Sequence, residues 1–124
     1  MRLRGLIVDD SDTFLTSASR LLESQGVQIV GTATSSQEAL ELLTASSPDL
    51  ALVDVELGDE DGLALARELR SHSPATRVIM ISTYDRDQMD DLIAASSAVG
   101  FLPKSSLSGD AVRSLLHGDQ RSAR

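Results

Sequence analysis

The sequence predicts an α/β fold, doubly wound, in which helices cover both faces of a five-stranded parallel sheet. The first observation is that two periodicities alternate along the 124 residues. Short, continuous apolar runs, typical of strands buried on both faces, are separated by segments whose apolar residues have helical spacing. The second observation is that five such strand and helix units follow one another. Right-handed crossovers then leave few ways to wind the sheet.

The apolar runs place the five strands at residues 6–8, 27–30, 50–53, 78–81 and 99–102. The first helix is expected between Ser11, a good N-cap residue, and Gly26, a good helix terminator. Ser35 to Glu38 has the pattern of a capping box and opens the second helix. The third helix begins after Gly62 and ends near Pro74.

The last two helices follow from apolar residues at helical spacing. Met89, Leu92 and Ile93 mark the fourth helix. The fifth is expected between Ser108 as its cap and Gly118 as its terminator. One domain over residues 1–118 is therefore predicted, followed by a polar, disordered tail over residues 119–124.

Composition excludes several classes of function. The chain has no cysteine, so disulfides, thiolate metal sites and cysteine nucleophiles are excluded. Its formal net charge of −8 opposes direct binding to nucleic acid. The first apolar run is too short for a signal peptide or a membrane span, so a cytoplasmic protein without membrane contact is expected. Nucleotide-binding glycine motifs are also absent from the sequence.

Three carboxylates and a lysine directly follow predicted strands. Asp9 and Asp10 follow the first, Asp54 the third and Lys104 the fifth. Residues at the carboxyl ends of parallel strands meet at one edge of the sheet, and a strand order of 2-1-3-4-5 would bring the three aspartates together. Clustered carboxylates repel one another unless a cation joins them or one acid stays protonated, and oxygen ligands with water favour Mg²⁺. The sequence thus predicts an acidic metal and phosphoryl site.

Four segments carry a family resemblance: residues 6–11 (LIVDDS), 52–57 (LVDVEL) with Asp61-Gly62 downstream, 78–83 (VIMIST) and 100–104 (GFLPK). In this order they resemble the receiver domain of two-component response regulators, and in motif the receivers of LuxR-type regulators. The resemblance covers nearly the whole chain. It implies a flavodoxin-like fold with the strand order 2-1-3-4-5 and a role in phosphorelay signal transduction.

The resemblance also implies a role for each site residue. Asp54 would accept the phosphoryl group from a sensor histidine kinase and would share Mg²⁺ with Asp10. The backbone carbonyl of Glu56 would be a further direct ligand, and Asp9 would act through water. Phosphorylation would then switch a protein-interaction surface formed by the fourth helix, fifth strand and fifth helix.

Three more residues take roles from the same resemblance. Ser82 would donate a hydrogen bond to the phosphoryl group, although the adjacent Thr83 also offers a hydroxyl. Lys104 would pair with another phosphoryl oxygen. Phe101 would be the switch aromatic that turns inward when Ser82 moves.

Two positions depart from the family pattern. Gly58 stands where proline is usual after the phosphoacceptor, which predicts a looser turn. Ser105 follows Lys104 where many members have a proline in a cis peptide, so that constraint is absent.

Other functions remain open at this stage. An aspartyl-phosphate hydrolase usually has a second aspartate two residues after its nucleophile, where this chain has Glu56. A degenerate receiver that acts only as an interaction module is a second alternative, and the receiver of a truncated transcription factor without its helix-turn-helix domain is a third. The initiating Met1 and short tail favour a stand-alone protein. It is expected not to be an enzyme, because it would catalyse only its own phosphorylation and dephosphorylation. Its partners would be the kinase, an unknown target and, after phosphorylation, a second copy.

Overall fold

The computed structural model describes residues 2–83 and 97–122, which form a parallel sheet with helices on both faces. The strands of the main sheet are β1 (Leu3–Val8), β2 (Val27–Ala33), β3 (Leu50–Asp54), β4 (Arg77–Ser82) and β5 (Gly100–Pro103). Their order is β2-β1-β3-β4-β5, and each neighbouring pair is parallel. The predicted fold class and strand order are therefore confirmed.

Among the described residues, two helices pack on each face of the sheet. They are α1 (Asp12–Ser24), α2 (Ser36–Ser46), α3 (Gly62–His72) and the C-terminal helix (Gly109–Ser122). Buried residues of α2 and α3 share one apolar cluster, while those of α1 and the C-terminal helix share the cluster on the opposite face. The strands between them are buried on both faces, which explains their continuous apolar runs.

The predicted helix starts depend on side-chain caps. Ser11 accepts a hydrogen bond at the start of α1, and Ser108 does so for the C-terminal helix. At α2 the hydroxyl of Ser35 accepts from the amide of Glu38 at 3.3 Å, as in a capping box. The carboxylate of Glu38, however, accepts from the amide of Thr34 at 2.9 Å, one residue earlier than a regular box requires.

The end of the C-terminal helix differs from the prediction. The helix continues through Gly118 to Ser122, so the expectation that Gly118 ends it is wrong. Glycine weakens a helix interior by about 1 kcal/mol but need not stop it, and Gly118 does not adopt a positive φ. The domain boundary between residues 118 and 119 stays a prediction.

Two statements about helices complete the description of the fold. The predicted fourth helix, with Met89, Leu92 and Ile93, lies outside the described residues. Within the described part of the chain, no helix combines the length and the apolar character needed to cross a membrane.

Candidate functional site

The three aspartates meet at the carboxyl edge of the sheet. Asp9 and Asp10 follow β1, and Asp54 is the last residue of β3, the neighbour of β1. One carboxylate oxygen from each lies within 4.8 Å of the others. Lys104 directly follows β5 and reaches the same place from the side. The order of the parallel strands thus brings together four side chains that come from three distant parts of the sequence.

Asp9 is the most enclosed of these side chains, with no exposed surface. Its Oδ1 accepts a hydrogen bond from the amide of Ser11 at 2.9 Å. Its Oδ2 makes no hydrogen bond of regular geometry with the described residues, but it lies 2.6 Å from the Nζ of Lys104. The buried charge of Asp9 is therefore balanced mainly by this one ion pair.

Asp54 is also buried, with 6% of its surface exposed. Its Oδ1 accepts from the amide of Glu56 at 3.1 Å, and its Oδ2 lies 3.2 Å from the Nζ of Lys104. Burial raises the pKa of Asp54 to about 6, and the charge of Asp9 adds to the increase, whereas the Glu56 amide and Lys104 oppose it. The carboxyl is thus ionised at neutral pH but is a more basic nucleophile than an exposed aspartate.

Lys104 is held by charge and by an aromatic ring. Burial lowers its pKa, but the contacts with Asp9 and Asp54 outweigh that effect and raise it overall. The ammonium also lies 4.4 Å from the centre of the Phe14 ring, within the range of a cation–π contact. Sequence reasoning did not include Phe14 among the candidate site residues and so missed this contact. Its place in the first turn after Ser11, next to the acidic cluster, was the available signal.

A small pocket opens beside Asp54, with a volume of about 170 Å³. It is lined by Asp10, Asp54, Glu56, Gly58, Ser82 and Thr83. Ser82 is the last residue of β4 and is buried, whereas Thr83 is exposed. The two hydroxyl residues therefore share the pocket wall, as the sequence left open. The pocket has space for a small ion or group next to the carboxylate of Asp54.

Phe101 lies in β5 and is not among the residues that line this pocket. It is 6% exposed and packs in the apolar cluster beneath α2 and α3. Its ring thus occupies an inward, buried position in this structure.

The loop after β3 forms a short antiparallel hairpin of Glu56–Leu57 with Glu60–Asp61. Gly58 begins the two-residue turn with a φ of +62°, as expected for glycine at the first central position of a type II′ turn. Proline, which fixes φ near −65°, could not adopt this conformation. The turn is therefore a defined hairpin and not the looser loop that the absence of proline predicted.

Gly62 connects this hairpin to α3 where no side chain fits. A Cβ at Gly62 would lie 1.8 Å from the backbone oxygen of Asp54, and its amide donates to the carbonyl of Val55 at 3.0 Å. The side chain of Asp61 caps α3 by accepting from the amide of Leu63 at 2.9 Å. The Asp61-Gly62 pair thus packs the start of α3 directly against the end of β3.

The segment after Lys104 is a single turn of 3₁₀ helix, Lys104–Ser106. The described residues contain no cis peptide bond, so the link from Lys104 to Ser105 is trans. This agrees with the expected loss of the cis-proline constraint.

Comparison with known proteins identifies the family. The model of the response regulator receiver domain matches residues 6–115, so the chain belongs to that family. A protein-glutamate methylesterase/protein-glutamine glutaminase from Alkalilimnicola ehrlichii is 37% identical over 117 residues, which cover 89% of this chain and 29% of that protein. A transcriptional regulatory protein, NarL from Mycobacterium tuberculosis, is 34% identical over 116 residues, 93% of this chain and 54% of its own length.

Solved structures agree with this assignment. The signal receiver domain of the response regulator NarL from Mycobacterium tuberculosis superposes with a TM-score of 0.81 at 33% identity, covering 96% of this chain and 97% of that one. A response regulator from Burkholderia pseudomallei with a phosphorylated aspartic acid, calcium ion and citrate has a TM-score of 0.80 at 25% identity, covering 92% and 66%. The chain is therefore a receiver domain of two-component signalling, and it spans from under a third to about half of the curated relatives named above.

The donor set fits a hard divalent cation. Receiver domains generally bind Mg²⁺ through acidic residues, and an aspartate cluster of that kind is present here. The exposed Asp10 and the buried Asp54 both line the pocket, while the buried Oδ2 of Asp9 faces the ammonium of Lys104. Oxygen ligands of this number and type suit Mg²⁺ with several of its waters retained.

Proposed function

We propose that this receiver accepts a phosphoryl group from a sensor histidine kinase on Asp54 and thereby switches a protein-interaction surface. The observation that carries the proposal is the setting of the Asp54 carboxylate. One oxygen is oriented by the amide of Glu56, the other faces the ammonium of Lys104, and the group borders a small open pocket. A carboxylate placed in this way is both oriented and accessible.

The metal ligands are part of this proposal. Asp10, Asp54 and the backbone carbonyl of Glu56 would hold Mg²⁺ directly, and Asp9 would act through water. When bound, the ion supplies positive charge that offsets the negative oxygens of the incoming phosphoryl group. The acidic pocket wall formed by Asp10 and Asp54 supports this assignment.

In the transfer step, a carboxylate oxygen of Asp54 bonds to phosphorus while the bond from phosphorus to the kinase histidine nitrogen breaks. The electron pair of that bond returns to the imidazole ring. Lys104 pairs with one phosphoryl oxygen, and the hydroxyl of Ser82 donates a hydrogen bond to another. Such transfer needs positioning and charge rather than further covalent chemistry, which is what these side chains offer.

Phosphorylation would change the interaction surface through the residues that contact the new phosphoryl oxygens. Once phosphorylated, Asp54 presents oxygens that draw Ser82 toward them, and Phe101 in the adjacent strand β5 responds to that movement. The surface affected would be that of the fourth predicted helix, β5 and the C-terminal helix.

The compartment and the partners of the receiver are proposed from its family and its relatives. The receiver would act in the cytoplasm with a histidine kinase and a downstream protein target, and it would catalyse only its own phosphorylation and dephosphorylation. The related Burkholderia pseudomallei regulator with a phosphorylated aspartic acid supports the phosphoacceptor role. A methylesterase and a transcriptional regulator both occur among the relatives, so the output attached to such a receiver varies.

Intact mass after incubation with acetyl phosphate tests the proposal. One phosphoryl adduct that requires Mg²⁺ and is lost in Asp54→Asn would support it, while an adduct that survives in Asp54→Asn would identify a different nucleophile. Absence of any adduct in the wild-type protein would favour a degenerate interaction module. Asp10→Ala should abolish binding in a Mg²⁺ titration, and Asp110→Ala, an exposed acid on the C-terminal helix, serves as the matched control.

A further inference from the structure

The hairpin beside Asp54 is tied to a second loop through Glu60. The Oε1 of Glu60 accepts a hydrogen bond from the amide of Ser36 at 3.0 Å. Ser36 is the first residue of α2, so its amide has no acceptor within the helix, and the positive end of the helix dipole favours a carboxylate there. Glu60 thus joins the hairpin to the start of α2.

The contact between Glu60 and Ser36 lies close to the acidic pocket because of the order of the strands. Strand β1 lies between β2 and β3, so a contact between the loops that follow β2 and β3 spans the end of β1, where Asp10 lies. At the tip of the hairpin, a Cβ added to Gly58 would lie 3.7 Å from the Oδ2 of Asp10. The hairpin therefore forms one rim of the acidic pocket, and Glu60 fastens that rim.

The same hairpin carries the backbone of Glu56, which donates its amide to Asp54. Glu56 pairs with Asp61, and the buried Leu57 pairs with Glu60, so the register of Glu56 depends on the strand that Glu60 secures. We propose that Glu60 is a positioning residue of the metal pocket, which holds the hairpin in the conformation that presents the Glu56 backbone to Asp54 and to a bound divalent cation. This inference rests on the proposed function, because it concerns the same pocket.

The expected size of the effect follows from populations. Without the Glu60 contact, the hairpin would hold the Glu56 backbone in its binding position only part of the time. The apparent affinity for the cation then falls in proportion to the fraction of molecules in that conformation. A carboxylate at an exposed helix terminus stabilises it modestly, so loss of the Glu60 contact should weaken cation binding by about two- to fivefold.

Asp59 offers a matched control for the charge of Glu60. It is the adjacent acid in the same turn, it is exposed, and no side-chain hydrogen bond joins it to another described residue. Removal of either acid lowers the local negative charge equally. Only removal of Glu60 also frees the hairpin.

The experiment titrates Mg²⁺ alone into wild type, Glu60→Ala, Glu60→Gln, Asp59→Ala and Asp59→Asn, and measures amide hydrogen exchange at Ser36 and Glu56 without metal. We expect Glu60→Ala to weaken Mg²⁺ binding more than Asp59→Ala does and to speed exchange at both amides. Glu60→Gln keeps an acceptor oxygen and should return both readouts to the values of Asp59→Asn.

Two results would overturn the inference. Equal Mg²⁺ affinities for Glu60→Ala and Asp59→Ala would mean that only charge matters, and equal behaviour of Glu60→Gln and Glu60→Ala would mean that the hydrogen bond has no role. Failure of the wild-type protein to bind Mg²⁺ would instead overturn the proposed function, and the amide exchange would still report whether Glu60 holds the hairpin.

Discussion

The ammonium of Lys104 lies 2.6 Å from Asp9 and 3.2 Å from Asp54, so its shorter contact is with the aspartate that is fully buried. Lys104 therefore has a structural role before any phosphoryl group arrives, because it balances a charge that has no access to water. A buried charge that loses its partner destabilises a protein strongly.

Lys104→Gln should lower the free energy of unfolding by about 3 kcal/mol in the absence of divalent ions, since Asp9 would be left without a countercharge. Urea unfolding in the presence of a chelator measures the loss. The double variant with Asp9→Asn should lose less than the sum of the two single losses, and the difference gives the coupling energy of the pair. Strictly additive losses would show that the 2.6 Å contact contributes little.

Asp54→Asn should change the pH dependence of stability. The pKa of Asp54 is about 6 in the folded protein and near 3.8 when exposed, so the folded state binds this proton more tightly. The stabilising contribution of the protonated group is complete below pH 4 and is lost as pH rises to 6. The free energy of unfolding of the variant should therefore exceed that of the wild type by about 3 kcal/mol at pH 7 without metal, and the gain should vanish near pH 4.

The measurement is urea unfolding of both proteins between pH 4 and 7.5 in a chelator. If the free energies of unfolding of the two proteins differed by the same amount at every pH, the raised pKa of Asp54 would be contradicted. Glu41→Gln, which removes an exposed carboxylate of α2 distant in sequence from the cluster, controls for general charge effects.

Gly58 should tolerate substitutions in the order set by its φ of +62°. Gly58→Asn should lose the least stability, Gly58→Ala should lose about 1 kcal/mol, and Gly58→Pro should lose more because proline cannot adopt a positive φ. Thermal or urea unfolding gives the order. If Gly58→Pro, the usual residue of the family, proved the most stable variant, the hairpin turn described here would be incorrect.

Gly118→Ala should stabilise the protein by about 0.5–1 kcal/mol. Gly118 lies inside the C-terminal helix, and a Cβ there would meet no atom within 4 Å. Unfolding in urea measures the change. A loss of stability would instead indicate that the helix ends at Gly118, as the sequence pattern suggested.

Much of the fold could be predicted because its signals are local. Strands buried on both faces require continuous apolar runs, and the caps at Ser11, Ser35 and Ser108 depend on residues within one helical turn. The misjudged end of the last helix at Gly118 shows the limit of such signals. A glycine can terminate a helix or merely weaken it, and the choice depends on its φ.

The candidate site could be predicted in its members but not in its contacts. Asp9, Asp10, Asp54 and Lys104 each follow an apolar run, and a parallel sheet must bring such positions to one edge. The sequence could not indicate that Lys104 lies nearer Asp9 than Asp54, because the distance depends on how β5 is placed beside β4 and on the rotamer of a long side chain.

The sequence by itself thus determined the order of the five strands and the residues at the acidic edge, since both follow from spacing along the chain, and its four motifs carried the resemblance to the family. Only the tertiary structure decided the partners of those residues. The contact of Phe14 with Lys104, the link from Glu60 to Ser36 and the lack of space at Gly62 all join positions that are adjacent only after the helices pack. Their physical reason is the same: each depends on distances between backbones of different elements, which no local pattern encodes.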